Sequence, residues 1–152
     1  MIRFADVLLL IAECQIETND LAGARTNINL IRARAANAAG WVKLADGVTN
    51  AANYVINEYP ASGDPFDTQE NARLALRMER KLELGGEGHR WFDLNRWGIT
   101  STELNRVLNY EKTTPWGALA MYKDAVITDV DATFPIPQRQ IDLSNGNLVQ
   151  NR

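Results

Sequence analysis

The first 40 residues hold two uninterrupted helical patterns separated by a few polar residues, and this spacing constrains the fold most. Residues 4–17 contain no glycine or proline, and apolar side chains recur at helical spacing at Phe4, Leu8 and Ile11. A second apolar stripe follows at steps of three and four: Leu21, Ala24, Ile28, Ile31 and Ala35. Asn19 or Asp20 can cap this second helix. Two such helices joined by two or three residues must pack antiparallel, so the sequence predicts a helical hairpin.

The hairpin is close in length to a tetratricopeptide repeat, whose period is about 34 residues. The spacing of Ala24 and Ile28 fits part of the repeat pattern, while its tryptophan-containing part is absent. A single unit of this kind cannot bury its apolar face, and about three are needed for stability. We therefore expect the helices after residue 67, or a region outside this chain, to pack on the hairpin.

Composition and charge exclude several classes of protein. The 152 residues carry a net charge of −3, which argues against nucleic acid as the main partner because phosphate binding needs a basic face. No apolar run approaches the roughly 20 residues of a membrane span.

Cys14 has no cysteine partner for a disulfide or metal site, and we expect it to be a small buried helix residue. The N-terminus lacks a signal-peptide pattern, so we expect either a cytoplasmic protein or part of a longer one.

The second half of the chain predicts further helices between irregular segments. Residues 67–70 have the spacing of a capping box, and a stripe of Leu74, Met78 and Leu82 should face the core. Glycines end this helix, and a short one should cover residues 89–97. A second capping pattern begins at Thr100.

The remaining stretches give weaker signals. Residues 41–66 are the least legible, with a short helix expected over 51–58. The prolines at 135 and 137 require extended backbone over residues 134–137, and one helical turn should follow at 138–142. Residues 125–136 could contribute one short strand at most.

Candidate chemistry is sparse. His89 is the only histidine, and without a spaced set of cysteines or histidines it cannot build a zinc site. Glu79 and Glu83 lie one turn apart, and paired carboxylates can hydrolyse glycosides, with His89 as a possible base. They lie among arginines and lysines, so we favour ion-paired structural carboxylates and a structural histidine.

Aromatic residues offer two candidate contact regions. In residues 89–97 we expect Phe92 and Leu94 in the core, and we favour the core over sugar stacking for Trp91 and Trp97. Arg90, Asp93 and Arg96 should form a local ion-pair network. Trp116 and Tyr122 fall in an irregular segment, where aromatic side chains are better candidates for binding a glycan or a partner, although a buried anchor is the stronger alternative.

Three ordered motifs resemble the RagB/SusD family of nutrient-binding proteins. The first is RFADVLLLIAEC at residues 3–14 followed by INLIRARA at 28–35. The second, and most specific, is RMERKLEL at 77–84 with GHRWFDLNRWG at 88–98. The third is FPIPQRQIDL at 134–143 with NLVQN after it. The structural signature residues are Arg80, Glu83, His89, Arg90, Trp91, Asp93, Arg96 and Trp97.

Departures from the family pattern are few. Gly85 and Gly86 stand where the family usually has a bulkier pair, and Gln140 replaces a usual glutamate. Cys14 lies within a helix and cannot be the family's lipidated cysteine.

The resemblance implies an outer-membrane lipoprotein on the surface of Gram-negative bacteria. Such a protein binds glycans or other nutrients and passes them to a TonB-dependent, SusC-like transporter. It implies no enzyme activity, no cofactor and no nucleic-acid partner. The helix pairs would scaffold the protein and contact the transporter, while the ligand site would lie mainly outside this chain.

The sequence as a whole predicts an all-α fold, made of a tetratricopeptide-like helical hairpin plus packed helices and long irregular loops. We expect one SusD-like C-terminal helical domain over residues 1–152, with the N-terminal half of the family fold absent. Within it, residues 1–40 form the hairpin, 67–98 the signature helices and 99–152 an irregular C-terminal part. The alternative is a cytoplasmic tetratricopeptide-like module that binds a peptide.

Overall fold

The computed structural model describes residues 2–63, 65–114 and 123–151, and within these ranges the regular structure is helical. Its α-helices are α1 (Phe4–Glu17), α2 (Leu21–Ala36), α3 (Gln69–Glu83), α4 (His89–Arg96), α5 (Thr100–Glu111) and α6 (Gln138–Leu143). Short 3₁₀ turns lie at Ala38–Gly40 and Asp129–Ala132. The described ranges hold no strand, only an isolated bridge between Lys43 and Asn50. The predicted all-α class is confirmed.

The α1–α2 hairpin forms where the sequence predicts it. Asn19 takes a positive φ of 64° between the helices, a conformation that asparagine tolerates better than most residues. The Asp20 carboxylate accepts a hydrogen bond from the Gly23 N–H at 2.9 Å and so caps α2. No α-helix among the described residues is long and apolar enough to cross a membrane.

Residues 1–87 form one compact unit whose core lies among α1, α2 and α3. The buried apolar side chains come from all three helices and from the segment before α3. They are Ala5, Leu8, Leu9, Ala12, Ile16, Ala24, Ile28, Ile31, Phe66, Ala72, Ala75, Leu76 and Leu84. The third helix therefore supplies the cover that the hairpin lacks, as expected from the stability of single repeats.

The face that α3 buries differs from the predicted one. Leu74, Met78 and Leu82 are 57%, 51% and 64% exposed, whereas the buried apolar positions are Ala72, Ala75 and Leu76. The charged residues Glu79 and Arg80 lie on the buried side, where arginine and carboxylate partners from α2 and α1 neutralise them. The small alanines let α3 pack closely against the hairpin. The stripe of Leu74, Met78 and Leu82, which was predicted to be buried, therefore lies on the outward side of α3.

Two further expectations in this unit were wrong. Residues 51–58 form no helix, because side chains of α2 hold the backbone at Asn57 and Tyr59 in an extended course. Cys14 is exposed, because the inward side of α1 is occupied by Ala12 and Ile16.

Residues 88–152 form the second compact unit. Gly88 has a φ of 82° immediately before α4, in the left-handed region that favours glycine. The predicted cap at Thr100 does not form: α5 has Ile99 at its N-cap, and the Thr100 hydroxyl instead donates to the Asn95 side chain. Residues 134–137 lie outside any helix or strand, and α6 follows them, as the prolines predict.

Candidate functional site

A buried ion pair joins α1 to α3. The Asp6 carboxylate accepts a hydrogen bond from the Arg80 guanidinium at 3.0 Å, and both side chains are almost fully buried. The two residues are 74 positions apart in the sequence. Arginine suits such a place because its planar guanidinium stays charged and donates several hydrogen bonds at once. The signature residue Arg80 thus fixes how α3 lies against the hairpin.

Glu83 receives two arginines at the end of the same three-helix unit. Arg3 donates to its carboxylate at 2.9 Å and to its backbone carbonyl at 2.8 Å, while Arg34 donates to the carboxylate at 2.6 Å. Arg3 also donates to Glu87 at 2.9 Å. Hydrogen bonds from Arg3 to Glu87 and Glu83 raise the pKa of the Arg3 guanidinium above its ordinary value. The last turn of α3 is therefore tied to both helices of the hairpin.

Glu79 pairs with Arg32 of α2 at 2.9 Å, with both side chains mostly buried. The Arg32 guanidinium also lies 4.3 Å from the centre of the Tyr59 ring. Burial raises the pKa of the Tyr59 hydroxyl. Glu79 and Glu83 thus have arginine partners, which suits carboxylates that hold helices together better than a pair that exchanges protons with a substrate.

The signature of the second unit sits on α4. Arg96 donates to Asp93 at 3.0 Å and lies 4.9 Å from the centre of the Trp97 ring. Arg90 donates to Glu103 of α5 at 3.3 Å. The Asp93–Arg96 part of the expected ion-pair network is therefore present, whereas Arg90 pairs with Glu103 of α5.

The residues of α4 that were predicted to lie in the core differ in how far they are buried. Leu94 and Asp93 are buried, and Trp91, Trp97 and His89 are half-buried. Phe92 is 69% exposed, so its predicted place in the core was wrong. Phe92 precedes Asp93 and Leu94 by one and two residues, which is about 100° and 200° around the helix. It therefore faces away from the side that those two residues bury.

The candidate contact residues Trp116 and Tyr122 lie outside the described residues. Among the residues that are described, no group of three or more histidine, cysteine, aspartate or glutamate side chains could hold a metal ion.

Sequence reasoning missed a recurrent contact in which an amide side chain pairs with one backbone residue. Asn29 exchanges two hydrogen bonds with the Tyr59 backbone, at 2.9 and 2.8 Å. Asn105 does the same with Ile127, and Gln150 with Ile136. One sequence signal pointed to such contacts. Long segments with neither a helical nor a strand pattern leave backbone groups that need hydrogen-bond partners outside regular structure.

The geometry defines an all-α protein whose tetratricopeptide-like hairpin is held to α3 by arginine–carboxylate pairs. A model of the SusD family matches residues 1–152, and the chain belongs to that family. The SusD-like protein P25 of Formosa agariphila is 33% identical over 144 residues, which cover 93% of this chain and 21% of that protein. The chain thus spans about a fifth of the length of this curated relative.

Family membership confirms the resemblance drawn from the three motifs. Proteins of the SusD family are in general nutrient-binding outer-membrane proteins that lack enzymatic activity. The ion-paired signature residues of α3 lie between helices in this chain, where they connect elements of the fold.

Proposed function

We propose that this chain is the scaffold and transporter-docking region of a noncatalytic nutrient-binding protein of the outer membrane. The proposed nutrient is a glycan, and the proposed partner is a SusC-like, TonB-dependent transporter. Family membership supports the general role. The docking role depends on a feature of α3.

The observation that carries the docking role is the division of α3 into two faces. One face is fixed to α1 and α2 by Ala72, Leu76 and the arginine–carboxylate pairs. The opposite face presents Leu74, Met78 and Leu82 to solvent, one turn apart. Contiguous exposed apolar side chains on a rigid helix suit burial against another protein. In this proposal, the buried face holds α3 rigidly on the hairpin, and the exposed apolar face contacts the transporter.

Co-purification of the full-length protein with its cognate transporter tests this proposal. We expect the triple variant Leu74→Ser, Met78→Ser and Leu82→Ser to lose at least tenfold in transporter affinity. A matched control, Glu70→Ser with Lys81→Ser, changes exposed polar positions of the same helix and should bind normally. Equal loss in both variants, or none in either, would contradict docking through this face.

Glycan binding is tested separately on a glycan array. We propose that Trp116, which is flanked by Pro115 and Gly117, and Tyr122 contact the glycan, because aromatic side chains in segments with an irregular sequence pattern suit ligand contact. Trp116→Ala and Tyr122→Ala should weaken glycan binding, whereas Tyr110→Ala, at an exposed position of α5, should not. A full-length protein that binds neither glycan nor transporter would refute the proposed function.

The noncatalytic proposal has its own test. Glu79 and Glu83 hold arginines, which supports a structural role for both. We expect no hydrolysis across a broad glycan panel. Hydrolysis that disappears in Glu83→Gln would instead support an enzyme.

Surface labelling of intact cells tests the proposed location. We expect the full-length protein to be labelled as an outer-membrane surface lipoprotein, with a signal peptide ending in cysteine encoded upstream. Recovery in the cytoplasm alone would favour the alternative of a tetratricopeptide-like interaction module.

A further inference from the structure

An extended segment, residues 53–60, lies beside α2 and α3 and is here called the strap. It has no regular secondary structure. No backbone–backbone hydrogen bond joins any residue from 52 to 62 to another described residue. The backbone contacts of the strap instead come from two side chains of α2.

Those two side chains bind the strap as they would bind a separate peptide. The Asn29 side chain donates to the Tyr59 carbonyl at 2.9 Å and accepts from the Tyr59 N–H at 2.8 Å. Arg32 donates to the Asn57 carbonyl at 2.6 Å. All three bonds use backbone groups, so they are available to any extended chain in this position.

The spacing of the contacts defines a register and a direction. Residues three apart on a helix lie about 5–6 Å from each other, and two residues of extended chain span about 6.6 Å. Asn29 and Arg32 therefore match Tyr59 and Asn57. The strap runs antiparallel to α2, since the later strap residue meets the earlier helix residue.

One side chain of the strap has a defined site. The Tyr59 ring lies 4.3 Å from the Arg32 guanidinium and meets the Phe66 ring edge-on at 5.3 Å between centres. Cations favour the face of an aromatic ring. The site thus holds an aromatic side chain two positions after the carbonyl that Arg32 binds.

Space remains next to the aromatic site and next to the strap. A cavity of about 430 Å³ is lined by Tyr59, Leu74 and Ala75 among others. Another, of about 360 Å³, is lined by Arg32, Ile56 and Leu82 among others. The second cavity, between α2, the strap and α3, therefore leaves room in the groove for a larger side chain than the strap provides.

We propose that this groove is a binding surface for an extended peptide carrying an aromatic residue, and that the strap occupies it in cis. This goes beyond transporter docking through α3, because it identifies a second kind of ligand and the residues that read it. Release of the strap breaks no helix or strand hydrogen bond, so it can open locally while the helices stay packed. Because the strap is tethered, its effective concentration is on the order of millimolar, and a free peptide must compete against that.

The test uses the full chain and a labelled synthetic peptide with the sequence of residues 53–60, NYVINEYP. The strap is weakened by Ile56→Ser with Tyr59→Ser. We expect at least tenfold tighter binding to this variant than to the unaltered chain, measured by fluorescence anisotropy. A peptide with serine in place of its second tyrosine should lose at least tenfold.

A second substitution assigns the binding to the groove. Asn29→Asp, which removes the donor to the peptide carbonyl, should reduce binding to the weakened-strap variant at least tenfold. Asn27→Asp is the matched control, because Asn27 lies on the same helix and pairs with Gln15 of α1 instead. Equal binding of the serine peptide, or unchanged binding after Asn29→Asp, would overturn the proposal.

Hydrogen exchange keeps the test decisive if the weakened-strap variant fails to fold. In the unaltered chain, millimolar peptide should speed exchange of the Tyr59 amide, because the peptide replaces the strap on Asn29. Exchange of that amide unaffected by saturating peptide would equally overturn the proposal.

Discussion

Asn105 and Ile127 are joined by two hydrogen bonds in opposite directions. The Asn105 side chain donates to the Ile127 carbonyl at 2.7 Å, and the Ile127 N–H donates back to it at 2.9 Å. The Gln150 side chain likewise donates to the Ile136 carbonyl at 3.0 Å and accepts from the Ile136 N–H at 2.9 Å. An amide side chain carries one donor and one acceptor group, as a backbone peptide does, so it can replace one partner of a β-bridge. Among the described residues, extended segments are thereby held to α5 or to the C-terminal segment without forming a sheet.

Replacing Asn105 with aspartate tests the contribution of this contact. The variant loses the donor to the Ile127 carbonyl, and we expect the free energy of unfolding to fall by about 1–2 kcal/mol. Exchange of the Ile127 amide should also become faster. Asn109→Asp is the control, since Asn109 is exposed one turn later on the same helix. Similar effects of the two substitutions would contradict the assigned role.

Removing the partner of Asp6 should have a larger effect. Arg80→Met leaves a buried carboxylate without its guanidinium, and a broken buried pair costs about 3–5 kcal/mol. Arg73→Met is a matched control on the same helix, because Arg73 pairs with Glu17 at a largely exposed position. An exposed pair contributes about 1 kcal/mol or less. Chemical denaturation of both variants measures the difference, and equal losses would refute it.

The pair of Glu17 and Arg73 also predicts a dependence on pH. The hydrogen bond from Arg73 lowers the pKa of the Glu17 carboxyl below its ordinary value, so the folded state favours the ionised form. The resulting stabilisation is complete above the pKa of the unfolded chain and is lost as pH falls through the lower folded value. Glu17→Gln should therefore lose less stability than the unaltered chain between pH 6 and pH 3. Solvent screening keeps the difference small. Denaturant titrations at both pH values measure it, and an equal acid-induced loss would contradict the assignment.

The sequence predicts the helices better than it predicts their faces. Periodicity located α1, α2 and α3 because each has a continuous apolar pattern, and cap signals marked the start of α2 and, within one residue, that of α3. On α3, however, it identified Leu74, Met78 and Leu82 as buried, since hydrophobicity indicates which side chains need cover but not which helix provides it. Asp6 and Arg80 decide that orientation, and they are 74 residues apart.

The candidate site was predictable only in part. The sequence indicated that Glu79 and Glu83 would be ion-paired, because arginines and lysines surround them. It did not give Arg32, Arg34 or Arg3 as the partners, since contacts between helices have no fixed sequence spacing. The contact of Asn29 with Tyr59 was missed for the same reason, and because an asparagine in a helix usually indicates a cap or an exposed position.

The outward faces of α1 and α3 predict how the isolated chain behaves in solution. Phe4, Val7 and Ile11 recur along the outer side of α1 and are exposed, as is the leucine and methionine stripe of α3. Contiguous exposed apolar side chains of this kind favour association. We expect the isolated chain to self-associate in analytical ultracentrifugation, with reducing agent present because Cys14 is also exposed. The triple serine variant of α3 should shift the distribution toward monomer, whereas Glu70→Ser with Lys81→Ser should not. A clean monomer with a single cooperative calorimetric transition would contradict this prediction, because it would mean that the exposed faces need no cover.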